Sequence, residues 1–450
     1  MCPYAAPPPP PHREEGQATL LAMGALLFLV TMTLAAFNVG QASYGKIKTL
    51  NAADGAAYAA ANTLARDMNF MAYSNRAMVA NHVAVGQMVS LASLSKELGV
   101  LTQELSTGSK VVGVLTSWLG VGEALIALGN ALQQVKSSVL DKVPALVKPL
   151  IGIEEGIITV LQASQPLMRS VTVLDAQDNV RKTVRANDPA MRWDTSSAGG
   201  ALSTAASLNA FIGYSGPQGS GKAPLDRFRQ VTMDSRDKLT RERKWLFGLS
   251  RGGTELRDNN NTWTGLDGAL LDLWLVTVPV AWGGAQAGPD KAWRPGSYGG
   301  IRSKVANTGY AVRDKLPGYN GLRSYFDIHS RAKDDSKSQS GAIVVIVTKP
   351  LDTAGDLKTQ TSDVALGTGA ADNPYRLPLT KSSVMSIAAS QVYFKRPARS
   401  QESGTGVSHL LSKYASSYPN GEYASLFSPY WQARLTEVPA GVNAAVQALY

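Results

Sequence analysis

The chain has 450 residues, a formal net charge of +10 and one cysteine. A single thiol excludes an intramolecular disulfide framework, so the fold rests on apolar burial, which a chain of this length can supply. Charged residues make up only 17 %, and the basic excess gathers at Lys222–Arg251, where nine Lys/Arg face four Asp/Glu. We read that run as a solvated, charged helix and not as a nucleic-acid surface.

Residues 1–16, with the Pro7–Pro11 run, read as a Pro-rich cytoplasmic tail. From Gly16 to Gly45 there is no charged residue, and the centre, Ala18–Phe37, is dense in Leu, Ala, Met, Phe and Val. About 20 apolar residues are what a helix needs to cross a hydrocarbon core of roughly 30 Å. Residues 17–40 therefore read as a transmembrane helix, with Gln17, Leu20, Leu21, Leu26, Leu27, Phe28, Leu29, Val30, Leu34 and Phe37 as the membrane anchor. Thr31 and Thr33 are compatible with it, because a Thr hydroxyl can bond back to its own helix. A short tail is easily left inside while the remainder is exported, so the expected orientation is N-inside.

Beyond the anchor, Ile47–Leu98 contains no proline, and the helix is expected to continue to about Leu98, with Gly40, Gly45 and Gly55 as points where it could break. Leu64, Met68, Met71, Asn75, Met78, His82, Val85 and Val89 follow heptad-like spacing. A second stripe, Phe70, Ala77, Ala84, Leu91 and Leu98, lies on a neighbouring face, so both faces call for a partner. Asn51, Asp54, Leu64, Met68, Met71, Asn75, Met78 and His82 are the candidate packing residues of this stalk. The polar ones among them, Asp54, Asn75 and His82, either fix helix pairing or face solvent. Leu98–Arg185 reads as further amphipathic helices, cut into short pieces by glycines and by Pro144 and Pro149. Val111–Gln134 and Leu146–Gln165 are apolar enough to resemble membrane spans, but Glu123, Glu154 and Glu155 argue against that. The expected organisation is an extracytoplasmic helical stalk or bundle over 41–186.

The texture changes near Asn187-Asp188-Pro189, and seven of the eight tryptophans follow. Strand candidates are Leu273–Val280, Arg323–Ile328, Ala342–Lys349 and Val384–Phe394, the last two a plausible pair. Asp258–Trp263, Gly283–Gly300 and Asp352–Asn373 read as surface loops. Residues 187–450 are thus expected to form a mixed α/β, exposed domain. The fold class is a membrane-anchored α+β chain: a transmembrane helix continuing into a helical stalk, then a strand-containing C-terminal domain.

The chemical motifs are weak. Gly216-Pro-Gln-Gly-Ser-Gly-Lys222 has the spacing of a phosphate-binding loop, but Ala223 lacks the hydroxyl that would hold magnesium. Asp334-Asp-Ser-Lys-Ser338 resembles the start of a von Willebrand A metal site, but the apolar strand follows it instead of preceding it. The four histidines are scattered, and no H-E-x-x-H or cysteine cluster supports a metal. No cofactor, catalytic or metal residue is expected. The alternative of an exported, membrane-tethered hydrolase acting on cell wall or pilus subunits would draw on Asp267, Asp272, Asp327, His329 and His409.

Arg13-Glu-Glu-Gly16-Gln17 before the apolar run, and Leu50-Asn-Ala-Ala-Asp54-Gly-Ala-Ala-Tyr-Ala-Ala-Ala61 after it, resemble the TadE/TadG-like proteins of bacterial tight-adherence (Flp-type) pilus systems. The resemblance implies a non-enzymatic, single-pass inner-membrane anchor or minor pilin-like subunit, with its bulk periplasmic or extracellular. Its implied partners are the bilayer, pilus-assembly or pilin subunits met through the transmembrane and stalk helices, and other copies of itself, with no nucleic acid. Prepilin processing expects Glu five residues after the glycine, whereas this chain has Leu21.

Overall fold

One helix organises the molecule. In the computed structural model α1 spans Glu15–Leu115 without interruption, a length of roughly 150 Å at 1.5 Å per residue. The structure describes residues 15–195, 211–215, 223–245, 248–256, 262–273, 276–289, 301–328, 339–350, 383–395, 424–442 and 444. Helix α1 runs through Gly40, Gly45 and Gly55 and past Leu98. An interior glycine costs only about 1 kcal/mol, less than the packing that holds the outer part of the helix in place.

The chain reverses at a short 3-10 turn, Ser117–Leu119, closed by Gly120 at φ 77°, a left-handed conformation that glycine adopts at little cost. Helices α2 (Gly122–Ser138) and α3 (Val143–Asn187) then return antiparallel along α1. The expected fragmentation of this region is corrected: α3 continues through Pro149 and Pro166. Each proline removes a backbone bond, but Val147, Ile151, Ile158, Val180 and Val184 are buried along the same helix, and that burial outweighs the local loss.

The remaining elements are short helices and strands. In chain order they are β1 (Arg192–Trp193), β2 (Ile212–Ser215), α4 (Ala223–Asp234), α5 (Lys238–Arg241), β3 (Arg243–Trp245) and β4 (Ser250–Leu256). Then come β5 (Trp263–Leu273), β6 (Val276–Ala287), α6 (Ser303–Ala311), β7 (Asp314–Leu316) and β8 (Tyr325–Ile328). The last are β9 (Ile343–Pro350), β10 (Ser383–Phe394) and β11 (Trp431–Thr436). They form a four-stranded sheet ordered β1-β9-β10-β11, a two-stranded pair β2-β8, and a five-stranded sheet ordered β3-β4-β5-β6-β7. All pairings are antiparallel except β6 with β7.

Strands β9 and β10 pair as their β-branched runs suggest, with Ile346 opposite Ile387. Three expectations change. The candidate strand Leu273–Val280 is divided between two antiparallel strands, since β5 ends at Leu273 and β6 begins at Val276, which pair with each other. The expected charged helix Lys222–Ser250 is instead α4, α5 and β3. Asp237 caps α5 by accepting from the Thr240 amide at 2.9 Å, and Arg243 enters the core on β3 to meet Asp267. The expected loop Gly283–Gly300 is strand as far as Ala287, its glycines giving room for helices on both faces: Gly283 lies against α1 and Gly284 against α6. The buried Trp263, expected at a loop end, opens β5. Residues 258–261 and 352–373 lie outside the described residues.

Both large sheets pack on α1. One core joins Ala52, Ala56, Leu64, Met68 and Met71 to Val180 and Val184 of α3 and to Val345, Val347, Val392 and Trp431 of the four-stranded sheet. A second joins Met78, Val85 and Val89 to Ile151 and Ile158 of α3 and to Leu256, Trp263 and Ala285 of the five-stranded sheet. The expected stalk and the expected exposed domain therefore share their buried surfaces.

Candidate functional site

The outer and inner lengths of α1 have opposite surroundings. Of the anchor candidates, Leu20, Leu21, Leu26, Leu27, Phe28, Leu29 and Val30 are exposed, from 49 % at Val30 to 75 % at Leu21. Gln17 and Leu34 lie on the same helix and Phe37 is half-buried. Thr31 and Thr33 donate to the carbonyls of Phe28 and Leu29, each at 2.8 Å, so this length presents no unsatisfied hydroxyl. By composition the part from Ser43 to Leu115 is long and apolar enough to cross a membrane, with 56 % of its most apolar stretch buried inside the protein, whereas Ala18–Thr33 is a shorter apolar stretch; Ile47, Leu50, Leu91 and Val111 are among the exposed apolar residues of the longer part.

From Ala52 the helix contacts protein through an alanine stripe, with Ala52, Ala53, Ala56, Ala57, Ala60 and Ala61 all buried. The small side chains let β10 approach so closely that the Ser390 hydroxyl donates to the Ala57 carbonyl at 2.6 Å. Asn51, expected among the packing residues, is instead exposed, because the stripe faces away from it. Asp54 is half-buried, and desolvation raises its pKa. Leu64, Met68, Met71, Asn75, Met78 and His82 are buried, as are Val85 and Val89. The second stripe is not a core face: Leu91 is 44 % exposed, and Phe70, Ala77, Ala84 and Leu98 are half-buried.

Polar residues then pin the inner helix to its neighbours. Asp67 accepts from Arg169 at 3.0 Å and from Thr172 at 3.4 Å. Burial raises its pKa, with the guanidinium opposing. The Asn69 side chain donates to the Trp431 carbonyl and accepts from the Trp431 amide, both at 3.0 Å. Asn75 donates to the carbonyls of Phe326 at 2.9 Å and Leu426 at 2.6 Å, while Gln165 donates to its Oδ1 at 2.7 Å. His82 Nδ1 lies 2.7 Å from the Tyr319 hydroxyl. Burial, and to a lesser degree Arg323, lowers the pKa of this imidazole to about 3.

The third pinned region sits under the five-stranded sheet. Arg243 donates to both oxygens of buried Asp267, at 2.6 and 2.8 Å, and to Thr254 at 3.1 Å. Ser90 of α1 donates to the same Thr254 hydroxyl at 2.8 Å. Nearby Glu97 accepts from Ser250 at 2.6 Å and Trp245 at 3.3 Å. Burial, reinforced by Asp267, raises its pKa to about 8, so near neutrality it is largely protonated. A side chain at Gly283 would overlap the Ser93 carbonyl and the Glu97 amide, which explains why that strand is glycine-rich at the crossing.

Of the residues that would serve hydrolysis, the described ones, Asp267, Asp272 and Asp327, each have partners of their own. Asp267 is paired with Arg243. Asp327 is held by Arg227 at 2.7 Å and by the Leu426 amide at 3.0 Å, and burial raises its pKa. Asp272 is exposed and bonds Thr277. His329, His409, the Gly216–Lys222 loop and Asp334–Ser338 lie outside the described residues. Among the described residues no three His, Cys, Asp or Glu side chains come together as a metal site.

The exposed apolar length leading without a break into the alanine stripe is the arrangement to compare with known proteins. Residues 16–63 match the putative Flp pilus-assembly TadE/G-like family. The resemblance seen in the Gly-Gln start and the Asn-Ala-Ala-Asp run is thereby shown, and it points to Flp pilus assembly. The match covers the exposed apolar length and the stripe and ends before Asp67, so the polar pins and both sheets lie beyond it. No curated protein and no solved structure matches the chain. The polar pins had only a faint sequence signal: Asp67, Asn69, Asn75, His82 and Glu97 are polar residues in an otherwise apolar helix. Their partners, 90 to 362 positions away, carried none.

Proposed function

We propose that this protein is a non-enzymatic component of a Flp-type pilus assembly apparatus, anchored in the bacterial inner membrane by the start of α1. The observation that carries the proposal is the contrast along one helix. Its first length exposes a belt of Leu, Phe and Val, and its next length is buried on several sides by the rest of the chain. An exposed apolar belt of this size is unstable in water and matches a hydrocarbon interior. The anchor crosses once, with residues 1–16 on the cytoplasmic side, and the alanine stripe begins about 15 residues beyond its apolar centre. The helical hairpin and the two sheets form the exported part, the stalk and exposed domain of the chain. It acts as an anchor or minor pilin-like subunit, meeting other assembly components through helix packing.

The test is twofold. After alkaline extraction of cell membranes, the full chain should remain with the lipid, and externally added protease should reach the sheets in spheroplasts but not the N-terminal tail. Deletion of the gene should lower pilus number and surface adherence, with restoration by the wild-type chain. Full recovery of the chain in the soluble fraction, or unchanged piliation after deletion, would contradict the proposal.

A further inference from the structure

Helix α3 has two faces of different character. Its inner face, including Val147, Ile151 and Ile158, is buried. Glu155 on that side is bonded by Asn320 at 3.0 Å and by Arg323. The outer face carries a run of large apolar residues at Leu146, Leu150, Ile153, Ile157 and Val160. The run passes Ser164 and resumes at Leu167, Val171 and Leu174. The steps alternate four and three residues throughout, which is the seam of a left-handed coiled coil. All eight apolar side chains are exposed, from 42 % at Ile157 to 69 % at Val160.

We propose that this outer face of α3 is the seam of a parallel homodimer, with the same stripe of a second copy as its occupant. The size is right: the eight side chains leave roughly 900 Å² uncovered, close to the ~800 Å² per partner of a stable specific interface. A lipid occupant does not fit the placement. The end of α3 is tied to α1 at Lys48, which lies 3.4 Å from Asp188, so the stripe starts where the anchor has already ended. Charge does not oppose a like partner: the acidic Glu154 and Asp175 lie on one flank only. Coiled coils select partners through charged flanks, yet the residues preceding the core positions on the other flank are Pro149, Gly156, Ala163 and Ser170. Nothing there repels an identical chain. A side chain at Gly152 or Gly156 would meet only open space, so a second backbone can come close. The parallel sense rests on the proposed anchoring, since two chains inserted in one bilayer present α3 in the same direction and at the same height.

The experiment uses the full chain carrying Cys2→Ser, reconstituted in phospholipid vesicles, with single cysteines introduced by substitution. Ile153→Cys and Leu167→Cys should each give a disulfide-linked dimer on mild oxidation. Thr159→Cys, on the neighbouring flank, should not. Ile157→Glu should abolish the dimer in sedimentation of the detergent-solubilised chain while leaving its circular dichroism and melting unchanged. Cross-links that form only when Ile153→Cys and Leu167→Cys chains are mixed would show an antiparallel pair and overturn the parallel seam. A monomeric chain without cross-links would overturn the proposal. So would capture of a different protein by Ile153→Cys in native membranes. A chain that fails to stay with the vesicles yet still forms the Ile153→Cys dimer would refute the anchoring and keep the seam.

Discussion

The two lengths of α1 are both apolar, yet they differ in what their side chains are for. The first exposes large residues around the helix, with the hydroxyls of Thr31 and Thr33 folded back on it. The inner length concentrates small residues on its contact face and breaks its apolar surface with Asp67, Asn75, His82 and Glu97, the buried side chains that bond to α3, to sheet residues or to their connections. In lipid there is no partner for such groups, in keeping with the anchoring role proposed for the first length. Inside protein they are affordable because each finds a donor or acceptor, and they set the height at which each neighbour docks. Side-chain size and polar spacing therefore separate the two lengths where mean apolarity does not.

Substitutions can break this contrast, and the largest effect is expected at the charged pin. Arg243→Ala leaves Asp267 buried without its guanidinium and should cost about 3–5 kcal/mol in denaturant unfolding, with membrane retention unchanged among the chains that fold. The reverse is expected of Leu27→Arg. It should raise the cost of insertion by about 2.5–3.5 kcal/mol and move chain into the soluble fraction, while the melting of the sheets stays as in wild type. Gly283→Ala comes next, at about 1–3 kcal/mol from overpacking against the α1 backbone, read as a lowered melting temperature.

The smallest effect is a change in pH dependence. Glu97 binds its proton more tightly folded than unfolded, so its contribution to stability is full below its ordinary pKa and is lost as pH rises through about 8. Glu97→Gln should flatten the decline in stability between about pH 4.5 and 8. His82, held near 3 by burial, acts in the other direction. Its contribution is present above its ordinary pKa near 6.5 and is lost as pH falls toward 3. Unfolding midpoints measured across that range for wild type, Glu97→Gln and His82→Gln separate the two slopes.

The sequence made the long helix legible because no proline interrupts it between the anchor and Leu98, and the Leu64–Val89 stripe kept one period throughout. Strands β9 and β10 were legible because each is a continuous β-branched or small-residue run. The β5–β6 pair was not, since Leu273 and Val276 at the facing ends of the two strands are both apolar and the glycines of β6 read as loop. Those glycines make sense only once Gly283 is seen against Ser93 and Glu97 of α1, and Gly284 against Gly309 of α6. Pro149 misled in the same way: a local rule for ending helices yielded to burial supplied by α1. The partners of the polar pins were invisible because pairing across hundreds of residues leaves no local mark.

The clasp between Asn69 and Trp431 carries a consequence for how the chain is made. A side chain near the start of the inner helix takes the part of a neighbouring strand for a residue 362 positions later. The core around Met68 and Met71 is sealed on that side by β10 and β11, so it cannot close until those strands have been made. Contacts this distant in sequence form slowly, and the closing of this core is timed by the arrival of β11.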